Sequence, residues 1–125
     1  MMKTYSRAKR VSDELQRVLS NVIVTDDPYR LGKVVTISKV ECSPDLRQAK
    51  VFVSVYDKNP KERRKVIRKL RDKSGNIRYE LGRRIRLKNT PKLLFFEDDT
   101  QAYMEKIERI FQKIKYSNEE SGTGE

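Results

Sequence analysis

The sequence predicts an α+β two-layer sandwich of element order α-β-β-α-α-β, followed by one more helix and a short polar tail. Three observations carry that prediction. Apolar residues recur at helical period over 7–24, 60–87 and 100–116. They alternate, or run without interruption, over short β-branched and aromatic stretches at 34–42, 49–56 and 93–96. A chain of 125 residues holds one modest core and leaves little room for a second. We therefore read 1–116 as a single domain and 117–125 as a disordered tail.

The first helix, 7–24, has its apolar stripe at Ala8, Val11, Leu15, Val18, Leu19, Val22 and Ile23, with Ser6 placed to cap it. Asp26, Asp27 and Pro28 end it, because the residue before a proline is pushed out of the helical region. The first strand, Val34 to Cys42, changes the phase of its alternation between Ile37 and Val40, which predicts a bulge or a strand end there. Ser43, Pro44 and Asp45 supply turn chemistry. The second strand sets Ala49, Val51, Val53 and Val55 on a core face and Lys50, Phe52, Ser54 and Tyr56 on the other, with Phe52 and Tyr56 read as packing residues. These two strands are close enough in sequence to pair antiparallel. The helices that follow are long enough for a crossover, so the sheet is expected to be mixed.

Asn59, Pro60 and Glu62 make a helix start. Asn caps, Pro takes the first helical position, and Glu62 sits where a capping box wants a carboxylate. Val66, Ile67 and Leu70 form a narrow apolar stripe. Ser74–Gly75 interrupts, and a second periodic run follows at Ile77, Leu81 and Ile85. Two helices joined at a glycine break are therefore expected rather than one long helix. Asn89, Thr90 and Pro91 turn the chain into a third strand, Leu93 to Phe96, apolar on both faces. The last helix aligns Tyr103, Ile107, Ile110, Phe111 and Ile114.

The charge is concentrated. The chain carries 29 Lys+Arg against 18 Asp+Glu, a net of +11. Residues 1–57 hold 10 basic and 7 acidic side chains, 58–92 hold 15 and 3, and 93–125 hold 4 and 8. The middle segment thus accounts for the whole excess. Cations that dense repel one another unless a polyanion is near, and nucleic acid is the usual partner. Lys61, Arg64, Lys65, Arg68 and Arg71 project from the far side of the first basic helix. Between the helices, Ser74, Gly75, Asn76 and Ile77 offer a close approach for a phosphodiester and free N–H groups at a helix start. Lys69, Lys73, Arg78, Arg83 and Arg86 can surround that point, with Lys88 just beyond, while Arg84 lies nearer the apolar flank. Arg7, Lys9, Arg10 and Arg17 form a secondary cluster off the stripe of the first helix. The residues alone point to a compact basic RNA- or DNA-binding domain. Phosphate contacts position a protein without reading bases, so for RNA, recognition of shape over sequence is expected.

Other chemistry is poorly supplied. With no histidine, Ser-His-Asp and Cys-His catalysis and histidine metal sites are excluded. The single Cys42 cannot form an internal disulfide, and it reads as a small apolar filler suited to a reducing compartment. No apolar run approaches the ~20 residues of a membrane span, and no apolar stretch follows the basic N-terminal residues, so neither a membrane partner nor a secretory signal is expected. There is no glycine-rich nucleotide loop. No catalytic residue, metal ligand or cofactor is assigned. Two other classes compete: a helix-turn-helix DNA-binding regulator built on 60–87, and a metal-dependent nuclease using Glu97, Asp98 and Asp99.

The element order, with two basic helices meeting at a break, resembles the type II KH domain. In detail the chain resembles the ribosome-binding factor A family over residues 5–115. The matching stretches are Asp27, Pro28, Arg30, Leu31; then Val35, Thr36, Ile37; then Ser43, Pro44, Asp45, Leu46, Ala49, Val51; then Gly75 and Arg78; and finally Pro91, Leu93, Phe95, Asp98. Two departures stand out: Tyr29 is an extra residue in the first stretch, and Lys73 occupies the position of the family's alanine at the helix break. The resemblance implies a non-catalytic, cytoplasmic, monomeric factor. It would bind the immature 30S small ribosomal subunit, assist maturation and 5′-end processing of 16S rRNA, and be released by a ribosome-associated GTPase.

Overall fold

The computed structural model describes residues 6–99 and 106–114. The polar tail at 117–125 and the outer parts of the last helix, Tyr103 included, lie outside the described residues.

Helix α1 spans Arg7–Ile23. Ser6 caps it as its position predicts, its Oγ accepting from the Lys9 N–H at 3.1 Å. The stripe buries Val11, Leu15, Val18, Leu19, Val22 and Ile23. Past Val24 the backbone turns left-handed, with φ of 65° at Asp26 and 43° at Asp27. Aspartate tolerates that region because its short side chain bonds locally. Here the Asp27 carboxylate accepts from the N–H groups of Leu31 at 2.8 Å and Gly32 at 3.2 Å. The Asp-Pro-Tyr-Arg-Leu stretch is therefore a clip that reverses the chain.

Strands β1 (Val35–Cys42), β2 (Gln48–Val55) and β3 (Lys92–Glu97) form one sheet in the order β1-β2-β3. β1 runs antiparallel to β2 and β3 parallel to it, giving the mixed sheet. The phase change in β1 is a bulge: Ile37 pairs with Val53 and Lys39 with Phe52, so Ser38 is left over. Helix α1 serves this irregular backbone. Gln16 Nε2 donates to the carbonyls of Ile37 at 3.0 Å and Ser38 at 3.4 Å. The buried Ser12 hydroxyl donates to the Ala8 carbonyl at 2.7 Å and accepts from the Cys42 N–H at 2.9 Å. The Ser-Pro-Asp-Leu turn between β1 and β2 is likewise self-bonded. Ser43 Oγ donates to Asp45 at 2.7 Å, and Asp45 also accepts from the Arg47 N–H at 3.1 Å. The Ser43 hydroxyl and that N–H hold the Asp45 carboxyl below its ordinary value.

Helices α2 (Pro60–Asp72) and α3 (Ser74–Arg84) follow. Asn59 Oδ1 caps α2 through the Lys61 N–H at 2.9 Å. Glu62 does not complete a capping box. The Asn59 N–H donates instead to Asp57 Oδ1 at 2.7 Å, because an aspartate two residues upstream reaches it locally. Glu62 turns to Lys65 at 3.0 Å and Lys33 at 3.9 Å. The break between the helices falls at Lys73, with φ −96° and ψ 6°, and Gly75 lies inside the first turn of α3. A backbone of negative φ is open to any residue, so the bend does not need a glycine. The bonding barely lapses: the Lys73 N–H reaches the Lys69 carbonyl at 3.0 Å and the Ile77 N–H reaches the Lys73 carbonyl at 2.9 Å.

The buried stripes of the three helices and the sheet residues Val51, Val53 and Phe95 make one core. On the opposite face of the sheet Phe52 and Phe96 stack, their ring centroids 5.7 Å apart. Residues 106–114 are helical.

Candidate nucleic-acid interface

With Val66, Ile67 and Leu70 turned inward, helical geometry carries Arg64, Lys65 and Arg68 to the outer side of α2. On α3, Ile77 and Leu81 are buried, and Gly75, Asn76, Arg78 and Arg83 are exposed. Ser74 is half-buried, and Arg86 and Lys88 stand exposed in the segment leading to β3. α3 begins with no side-chain cap, which leaves its first N–H groups to an external acceptor. A Cβ added at Gly75 would find nothing within 4 Å, so the surface there is bare.

The basic side chains from Arg64 to Lys88 divide into two groups. The side chains of Arg64, Arg68, Lys73, Arg86 and Lys88 make no hydrogen bond or ion pair with another described residue. The remainder are engaged. Lys69 Nζ donates to the Arg30 carbonyl. Arg71 Nε and Nη2 donate to the Phe95 carbonyl, and its guanidinium lies 5.9 Å from the Phe96 ring centre. Arg78 Nε and Nη2 donate to the Thr90 carbonyl at 3.1 and 2.7 Å. Lys65 pairs with Glu62 and Arg83 with Glu80, each at 3.0 Å, and Arg84 also leans on Glu80 at 3.8 Å. In the secondary cluster Lys9 pairs with Asp13 at 3.0 Å and Arg17 with Glu14 at 3.7 Å, while Arg7 and Arg10 are exposed.

The clip after α1 braces the helix pair. Arg30 holds Lys69 of α2 through its carbonyl. Tyr29, the extra residue of the motif, packs against the core. Burial and the nearby Glu80 raise its phenol above the ordinary value, against the lowering effect of Arg84. Tyr29 and Arg30, the two residues after Pro28, thus meet both sides of the Lys73 bend: Arg30 holds Lys69 of α2, and Tyr29 lies near Glu80 and Arg84 of α3.

Reasoning from sequence passed over Tyr79. It is 70% exposed and stands one turn from Gly75 and one turn from Arg83 on the same side of α3. The i, i+4, i+8 spacing of Gly75, Tyr79 and Arg83 was the available signal.

The acids at the end of β3 do not converge. Glu97 pairs with Arg63 at 2.7 Å, and Asp98 accepts from Ser54 Oγ at 3.4 Å. Cys42 is half-buried against the core, and burial raises its thiol despite a bond to Ser12. Among the described residues no helix is long and apolar enough to cross a membrane.

Comparison with known proteins places the chain. The profile of the ribosome-binding factor A family matches residues 7–111. A curated ribosome-binding factor A from Clostridium perfringens is 40% identical over 111 residues, covering 87% of this chain and 95% of its own length. Among solved structures, the solution NMR structure of a Thermotoga maritima protein described as a candidate ribosome-binding factor A is similar. It has 31% identity and a TM-score of 0.65, and the match covers 78% of this chain and 92% of that one. A homology model of the Thermus thermophilus ribosome-binding factor A, fitted into a cryo-EM map of a 30S complex, shares the fold. Its TM-score is 0.57 at 22% identity, over 70% of this chain and 91% of that one. The type II KH-like order implied by the resemblance is the order observed, and the chain belongs to the ribosome-binding factor A family.

Proposed function

We propose that this protein binds the immature 30S small ribosomal subunit through the outer faces of α2 and α3. Bound there, it assists maturation of 16S rRNA, including processing of its 5′ end. The observation that carries this reading is the set of uncommitted cations Arg64, Arg68, Lys73, Arg86 and Lys88 around the bare start of α3. Charges that satisfy no internal acid are available to phosphates, and their binding releases the counterions of the RNA. The 30S complex of the Thermus thermophilus relative supports the choice of polyanion.

The chemistry is that of a clamp. Lysine and arginine fix phosphates, the uncapped helix start accepts one more, and Tyr79 offers a ring face to an unpaired base. Such a surface stabilises one RNA conformation over others, which is how a non-catalytic factor assists folding. Release by a ribosome-associated GTPase completes the proposal. A helix-turn-helix reading fits less well, since α2 and α3 are parted by the single residue Lys73 rather than by a turn of three or four residues.

Sedimentation tests it. The protein should comigrate with small subunits, and with precursors in preference to mature particles. Equal association with both, or with duplex DNA in place of either, overturns the reading.

A further inference from the structure

Two exposed apolar faces stand in this chain with no partner between them. One is the open face of the sheet, where Phe52 and Phe96 stack, Leu94 is half-buried beside them, and Val34 and Tyr56 stand exposed. The other is the helix at 106–114, with Ile107, Ile110, Phe111 and Ile114 at helical spacing. Phe111 is 66% exposed, and Ile110 and Ile114 about half.

We propose that helix 106–114 packs across the open face of the sheet, covering Phe52, Leu94 and Phe96, so that the sheet gains a helical layer on its second side. Three observations choose this occupant. The nine helical residues span about 13 Å, close to the width of three strands set about 4.8 Å apart. Residues 98–105 join β3 to the helix and reach at most about 26 Å when extended, enough to fold back and too little to stray. A tether this short gives an effective concentration on the order of millimolar, above that of any free competitor. RNA suits the face poorly. The Phe96 ring already meets Phe52 on one side and the Arg71 guanidinium on another, and Glu97 and Asp98 sit at the same end of the strand.

The chain has no tryptophan, so Phe111→Trp introduces a single reporter. In the full chain without RNA, its emission should be blue-shifted and its acrylamide quenching several-fold weaker than in an isolated 106–114 peptide, on the order of the occupancy a millimolar tether imposes. Both effects should be independent of protein concentration and lost with Phe96→Lys, with the melting temperature checked as a fold control. Should that variant not fold, a second measurement decides. In a Cys42→Ala chain, Phe96→Cys and Ile110→Cys should form an intramolecular disulfide under mild oxidation. Water-like emission in the full chain overturns the proposal. So does shielding that grows with protein concentration, shielding that needs added small subunits, or a crosslink found only between chains. None of these measurements uses the α2–α3 surface, so they fail or succeed independently of the RNA reading.

Discussion

The guanidinium of Arg71 donates twice to one acceptor, the carbonyl oxygen of Phe95, from Nε at 3.1 Å and from Nη2 at 2.9 Å. A residue that reads in the sequence as one more cation for RNA is thus a strut between α2 and β3. Arg68, less than a turn earlier, has no such duty.

The two arginines should therefore separate by experiment. Arg71→Gln leaves a part-buried carbonyl unserved and should cost about 1–3 kcal/mol of stability. Arg68→Gln should stay within about 0.5 kcal/mol of the parent and still weaken RNA binding. Denaturant melts paired with binding to ribosomal-RNA fragments check this. Equal stability loss in both variants would refute the assignment.

Two glycines of α3 predict opposite outcomes. Gly75 is helical with open space at its missing Cβ, so Gly75→Ala should stabilise by roughly 0.5–1 kcal/mol. At Gly82 an added Cβ would lie 2.8 Å from Thr90 Oγ1, and Arg78 holds the Thr90 backbone in place. Gly82→Ala should therefore destabilise, and Thr90→Ala should relieve it. Gly75→Asp should keep the fold but lose RNA affinity, since it sets a carboxylate where a phosphate would approach.

Binding should be steep in salt. Neutralising about six phosphates gives a log–log slope near −4 to −5. Arg68→Gln should flatten it by about one. Tyr79→Ala should leave the slope unchanged while weakening affinity by about 1–3 kcal/mol, because stacking releases no counterions. Titrations at three or more salt concentrations distinguish the two effects, and an altered slope for Tyr79→Ala would count against stacking.

Stability at high pH should depend on Tyr29. Its folded value is raised above 10.0, chiefly by burial, so its contribution is fully present below pH 10 and is lost as pH rises through the folded value. Tyr29→Phe should make the alkaline loss of stability shallower. Lys33, raised by its bond to Asp57, acts in the same direction from its ordinary value of 10.5 upward. On the acid side Asp57 and Asp45 are lowered, so their contributions hold above pH 3.8 and fade as pH falls through the folded values. Melting temperatures across both limbs test this, and an unchanged alkaline limb in Tyr29→Phe would show the phenol to be irrelevant.

The elements were legible because each writes its own period. The stripe of α1, the alternation of β2 and the bulge between Ile37 and Val40 all follow from where apolar side chains must point. The bend was legible as an event but not as a residue, since Lys73 adopts a backbone that no residue type announces. The basic face was legible as a total. Its division was not, because Lys69, Arg71 and Arg78 spend their donors on carbonyls of Arg30, Phe95 and Thr90. A carbonyl belongs to every residue, so no sequence pattern marks one as an acceptor for a distant arginine. Tyr79 was missed for a related reason: an aromatic between cations has no signature until its exposure is known.

The bonds from α1 to β1 and from Arg71 to β3 bear on association between chains. Both outer strands of a three-stranded sheet normally present rows of vacant backbone groups that template further strands. Here Ser12 and Gln16 bond groups at the end and at the bulge of one row, and Arg71 bonds the Phe95 carbonyl in the middle of the other. A foreign strand could not complete its ladder along either edge without displacing these side-chain partners. Strand swapping and fibril growth on this sheet are thereby hindered by polar side chains of α1 and α2.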